Sequence, residues 1–111
     1  MTKAEKLYHD IADAIPDTTK GKMFGALCLK APNGKAGVMF WTDKTPEKNE
    51  FMLFKLEGKA ADDAMKLKGA KVFEPVEGRR MNGWIQLSTE HAARWKSLAK
   101  KSMDFVKTIE T

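Results

Sequence analysis

Ala26-Leu27-Cys28-Leu29-Lys30-Ala31-Pro32-Asn33-Gly34-Lys35-Ala36-Gly37-Val38-Met39-Phe40-Trp41 reads as two extended segments joined by a turn. Asn33-Gly34 is the strongest short hairpin signal in the chain, because both residues tolerate the positive φ of a type I′ turn. A two-residue loop there sets Leu29 against Val38 and Leu27 against Phe40 on one side of a sheet. It sets Cys28 against Met39 and Ala26 against Trp41 on the other. Both faces are then partly apolar, which asks for some cover on each.

Working outward, Thr42 to Asn49 reads as a loop leading into a further strand over Phe51 to Leu56. Residues 22–56 therefore form a three-stranded antiparallel meander. Upstream, Thr2 and Glu5 have capping-box spacing. Ala4, Leu7, Ile11, Ala14 and Ile15 follow as the stripe of a first helix, which Pro16 stops. Downstream, a second helix fits Lys59 to Lys68, with Ala60, Ala61, Ala64 and Leu67 inward and Gly69 at its C-terminal cap. Short strands fit Lys71 to Glu74 and Trp84 to Leu87. Ser88 or Thr89 caps a last helix whose apolar stripe is Ala92, Trp95, Leu98, Ala99, Phe105, Val106 and Ile109. The order α-β(3)-α-β(2)-α predicts a two-layer α+β domain, helices packed on one antiparallel sheet.

The whole chain, 1–111, fits one domain, and 42% hydrophobic with 32% charged residues excludes disorder and a membrane span. Charged residues within the first fifteen positions exclude a secretory signal. Cys28 is the only cysteine, so no internal disulfide forms and a cytoplasmic location is expected. The net charge is +5, and residues 20–71 hold eleven lysines against six acids. That field suits nucleic acid or an acidic protein, and it equally suits a lysine surface that serves solubility.

Two stretches resemble a known family. Lys22-Met23-Phe24-Gly25, read as opening the first strand, resembles the start of the TfoX/Sxy N-terminal domain, and Gly78-Arg79-Arg80-Met81-Asn82-Gly83-Trp84 resembles that family's Gly-Arg-Pro-Met-x-Gly-Trp segment. Arg80 replaces the usual proline, and Ala26 replaces a common second glycine. The resemblance implies a secretion-chaperone-like α+β fold and a role as a competence-type, transcription-regulating domain. Those bacterial regulators usually carry a second, DNA-binding-like C-terminal domain; this chain ends after the first, so the transcriptional role does not transfer directly. The physical reading of both motifs is structural: Gly25 marks a bulge or close approach within a strand, and Gly78 and Gly83 supply positive φ that turns Met81 and Trp84 back onto the sheet.

No enzyme constellation emerges. Cys28 faces Met39 and reads as a buried, inert thiol. His9 and His91 lack partners at metal spacing. Asp62 and Asp63 diverge on a helix, and Glu74 and Glu77 flank a turn with nothing to mark an acid/base pair. Gly34-Lys35-Ala36-Gly37 sits in a hairpin rather than between helices, so it is no KH loop. No catalytic residue, metal site or cofactor is expected. A non-enzymatic regulatory domain acting through a protein partner is the expectation, the partner being transcription machinery or a second copy. Its apolar patch would be Met39 and Trp41, with Met52 beside them. The alternative is direct nucleic-acid binding through a basic hairpin tip and turn, Lys30, Lys35, Arg79 and Arg80.

Overall fold

A computed structural model describes residues 1–109. The element order is α1 (Lys3–Ala14), β1 (Thr19–Met23), β2 (Ala26–Lys30), β3 (Ala36–Thr42), β4 (Glu50–Lys55), α2 (Gly58–Met65), β5 (Lys71–Val72), β6 (Trp84–Ser88) and α3 (Ala92–Lys107), the last preceded by a single 3₁₀ turn. The α+β architecture is the expected one, with one six-stranded antiparallel sheet in the order β1-β2-β3-β4-β6-β5. The meander has four strands rather than three. Lys22-Met23-Phe24-Gly25 does not open the first strand; it closes a hairpin in which Met23 pairs with Ala26. Phe24 (φ 54°) and Gly25 (φ 77°) both take the left-handed conformation that a two-residue type I′ loop demands. Phenylalanine is a poor residue for that role, which hides the turn from a reading by turn chemistry.

Asn33-Gly34 makes a different turn from the expected one. Gly34 N–H donates to the Ala31 carbonyl and Ala31 N–H to the Lys35 carbonyl, each at 2.9 Å, so the loop is the three residues Pro32 to Gly34. Only Gly34 in that loop has positive φ. The longer loop shifts the pairing by one residue, setting Lys30 against Ala36, and a bulge between Leu29 and Lys30 shifts it back. Leu27↔Phe40, Cys28↔Met39 and Leu29↔Val38 therefore hold as expected, while Ala26 pairs with Met23 of β1 and Trp41 with Phe51 of β4.

The sheet faces sort by parity. Leu29, Val38, Phe40, Met52, Phe54, Ile85 and Leu87 form a core with the three helices. On α1 that core takes Tyr8 and Ala12 as well as Ala4, Ile11 and Ile15, whereas Ala14 is exposed. On α3 it takes Trp95, Leu98, Ala99, Ser102, Met103 and Val106. Thr2 Oγ1 accepts from Glu5 N–H at 3.1 Å, as capping requires, and its hydroxyl proton is donated to Glu50 on β4. Asn33 adds a tie that turn statistics do not foresee. Its Nδ2 donates to the carbonyls of Val106 and Ile109, at 2.9 and 3.1 Å, fastening the hairpin tip to the C-terminal end of α3.

The opposite face carries a smaller core, Cys28, Met39, Leu53, Phe73 and Trp84. The chain from Phe73 to Trp84 folds over it. Phe73 N–H donates to the Trp84 carbonyl and Met81 N–H to the Phe73 carbonyl, both at 2.8 Å. Gly78 (φ 83°) and Gly83 (φ 88°) supply the positive φ expected of them.

Tyr8 is fully buried and its hydroxyl donates to the Cys28 carbonyl at 2.6 Å. Burial, with a smaller repulsion from Cys28, pushes its pKa up to about 12 from an ordinary 10.0. The folded state thus holds this proton more tightly than the unfolded chain does. The stabilisation is complete below pH 10 and is lost as the pH rises toward 12. Urea unfolding at a series of alkaline pH values is expected to show a steeper loss of stability for the wild type than for Tyr8→Phe. Parallel curves would mean that Tyr8 ionises freely.

Candidate functional site

The two motifs that carry the family resemblance lie almost sixty residues apart in sequence and meet in space. Met23 and Phe24, from the β1–β2 turn, line one groove with Met81 and Trp84, from the segment that covers the second sheet face. The groove has a volume of about 400 Å³, and Lys35 and Lys55 line it too. Lys55 is held by two contacts: its ammonium donates to the Asn82 carbonyl at 3.3 Å and sits 5.9 Å from the centre of the Trp84 ring. The arrangement is an apolar surface with cations beside it, suited to an apolar side chain flanked by carboxylates.

Phe24 is the outlying residue of this site. It is 65% exposed and holds positive φ in a turn where asparagine or glycine would be relaxed. A left-handed non-glycine residue costs about 1–2 kcal/mol. Phe24 also lines a second hollow of about 300 Å³ with Trp41 and Lys44.

The expected residues fare unequally. Met39 is fully buried beneath the Phe73–Trp84 segment and is no part of a surface patch, a correction that follows from the cover on that face. Met52 is fully buried in the core on the helix side, so it shares no face with Met39. Trp41 is half-buried, its ring set edge-on against Phe73 at 5.0 Å. Lys35 joins the groove. Lys30 is half-buried: a β-carbon placed on Gly21 would lie 3.3 Å from Lys30 Cε, so its alkyl chain lies along β1. Arg79 and Arg80 are exposed in a turn closed by Arg79 N–H donating to the Val76 carbonyl at 2.8 Å. Glu74 is spent locally, accepting from Gly78 N–H at 2.8 Å.

Cys28 is fully buried, and burial raises its pKa against a smaller lowering by Lys30, which disfavours the thiolate. His91 Nε2 lies 2.7 Å from the Lys68 carbonyl, and His9 is 3.9 Å from Glu5. Hydrogen bonding to Lys59, with its charge, lowers the pKa of Asp63. Among the described residues there is no group of three or more histidine, cysteine or acidic side chains placed to hold a metal. Among them, too, no helix is long and apolar enough to cross a membrane.

Reading by segments missed one concentration of charge. Arg94, Lys96, Lys100, Lys101 and Lys107 all lie on α3 and all are exposed, against the single acid Asp104. The signal is present in the sequence, but it lies outside residues 20–71, where the excess of lysine is most evident, and Glu74, Glu77 and Glu90 offset it over the C-terminal third of the chain. No family model, curated protein or solved structure matches this chain.

Proposed function

We propose that this chain is a non-enzymatic regulatory domain that binds a protein partner in the groove between the Phe24 turn and the Met81–Trp84 segment. The partner presents an apolar side chain flanked by carboxylates. Phe24 carries this reading: an exposed aromatic kept in a strained turn, at a cost to stability, points to selection for contact rather than for folding. The apolar groove behind it and the lysines beside it give the partner's chemistry. That the two motifs resembling the TfoX/Sxy N-terminal domain converge here supports a regulator of that kind, acting in the cytoplasm. Direct nucleic-acid contact through Lys30, Lys35, Arg79 and Arg80 has less support, because Lys30 is laid along β1 and the hairpin tip is fastened to α3.

Phe24→Asn separates contact from folding. Asparagine relaxes the turn, so the variant is expected to be more stable by about 1 kcal/mol, read from urea unfolding. Affinity capture from the source cells should yet lose a partner retained by the wild type, and so should Lys35→Glu with Lys55→Glu. A stabilised Phe24→Asn variant that captures the same proteins in the same amounts would reject the groove.

A further inference from the structure

Helix α3 stands as a ridge between two hollows, and its cations line both. Lys96, Lys100 and Lys107, with the one acid Asp104, line a hollow of about 340 Å³ against Ile15 and Pro16. Arg94 and Lys101 line another, of about 440 Å³, against α2. At 100° per residue the three lysines fall within about 40° of one another and extend over roughly 16 Å of helix, while Arg94 and Lys101 fall within about 20° on the far flank. Among the described residues, no carboxylate lies within 4 Å of any of the five, whereas Lys6, Lys20, Lys59 and Lys66 all have one. Asp63, the acid in the hollow beside α2, is paired with Lys59 at 3.0 Å and Lys66 at 3.8 Å, and Lys101 acts on it only at longer range, as the weakest of the charges that lower its pKa.

We infer that the exposed ridge of α3 docks on the phosphate backbone of duplex nucleic acid, with the two cation stripes meeting phosphates on either side. Charge complementarity selects this occupant. A duplex carries one negative charge per ~1.7 Å of axis, so the 16 Å stripe spans roughly nine phosphates. An anionic membrane would call for large apolar side chains on the same face, and the exposed ones of this chain, Met1, Phe24, Met65 and Val76, are all elsewhere. A protein partner would call for an aromatic anchor, and Trp95, the helix's tryptophan, points into the core. Along the crest, Ser97 and Asp104 offer little for reading bases, so binding is independent of sequence. The two hollows share no lining residue with the Phe24 groove, which reaches α3 only at Val106 and, just past its end, Ile109.

The test is fluorescence anisotropy of a labelled 20-bp duplex of random sequence, titrated between 50 and 200 mM salt. The protein would be wild type, Lys96→Gln/Lys100→Gln/Lys107→Gln, or a charge-matched control, Lys44→Gln/Lys48→Gln/Lys71→Gln. All replaced lysines are exposed, and circular dichroism confirms folding. The α3 variant is expected to bind on the order of tenfold more weakly, with its log–log salt slope shallower by about 2.7, one phosphate contact per lysine. The control should change affinity less than about twofold, because its lysines lie off the ridge. Equal losses in both variants, or no wild-type binding at 50 mM salt, would overturn the inference. So would polyglutamate of equal charge displacing the duplex as well as unlabelled duplex does, which would make the ridge an acidic-protein site. Phe24→Asn should bind the duplex as the wild type does, so failure of the groove and failure of the ridge are told apart.

Discussion

Trp95→Ala is expected to destabilise the fold by about 3–5 kcal/mol, a large share of the roughly 5–15 kcal/mol that holds a domain together. Trp95 is the largest fully buried side chain, and it lies on the face of α3 that packs against β3 and β4. Removing its ring deletes dispersion contacts on every side and leaves a hole that rigid strands cannot close. The thermal midpoint should fall by more than about 10 °C. The indole Nε1 is buried with no hydrogen-bond partner among the described residues, and neither has the Ser102 hydroxyl, two turns further along the same face. An unmade hydrogen bond of this kind costs about 1–3 kcal/mol. Trp95→Phe loses contact area but also removes the orphan donor, so its cost should be at most about 1 kcal/mol. Equal costs for phenylalanine and alanine would show that the indole N–H finds a partner in solution.

The second large effect is Gly37→Val, expected to cost at least about 3 kcal/mol by overpacking. Gly37 is the residue where the β3 bulge passes beneath α3. A β-carbon there would come within 2.9 Å of Met103 Sδ, 3.0 Å of Val106 Cγ2 and 3.1 Å of the Ser102 carbonyl oxygen. The thioether can swing aside, but the carbonyl belongs to the helix backbone and cannot. Gly37→Ala should therefore already cost about 1–3 kcal/mol, and Met103→Ala should recover only part of it. Urea unfolding of the three variants checks this. Full recovery by Met103→Ala would show that the helix itself can lift.

Several features of the fold were open to local reading. Tight turns and caps act over four or five residues, so Thr2 at the start of α1 and the glycines at 78 and 83 could be placed from the sequence, whereas α2 stops at Met65 with Lys66 as its cap and Gly69 takes its positive φ in the turn beyond it. The register set from the Asn33-Gly34 turn gives three of the four expected pairs between β2 and β3. Even the wrong turn at Asn33-Gly34 left that register intact, since the longer loop and the bulge offset each other.

β1 was missed because Thr19-Lys20-Gly21-Lys22-Met23 is an edge strand with no apolar alternation, and its lysines guard an open edge rather than fill a core. Periodicity on α1 passed over Tyr8 for a different reason. Burial there is set by the hydroxyl's reach to the Cys28 carbonyl, and no spacing rule contains that distance.

The candidate site divides along the same line. Sequence alone determined the α+β class, the greater part of each helix's inward stripe and the burial of Cys28, all of which follow from local propensity and from the periods of helix and strand. Only the tertiary structure decided that Met39 is covered and that Phe24 stands out strained beside Met81 and Trp84. Those are contacts and exposures between segments far apart in the chain. They depend on where loop Phe73–Trp84 and helix α3 come to rest on the sheet, a choice made by packing the whole molecule at once.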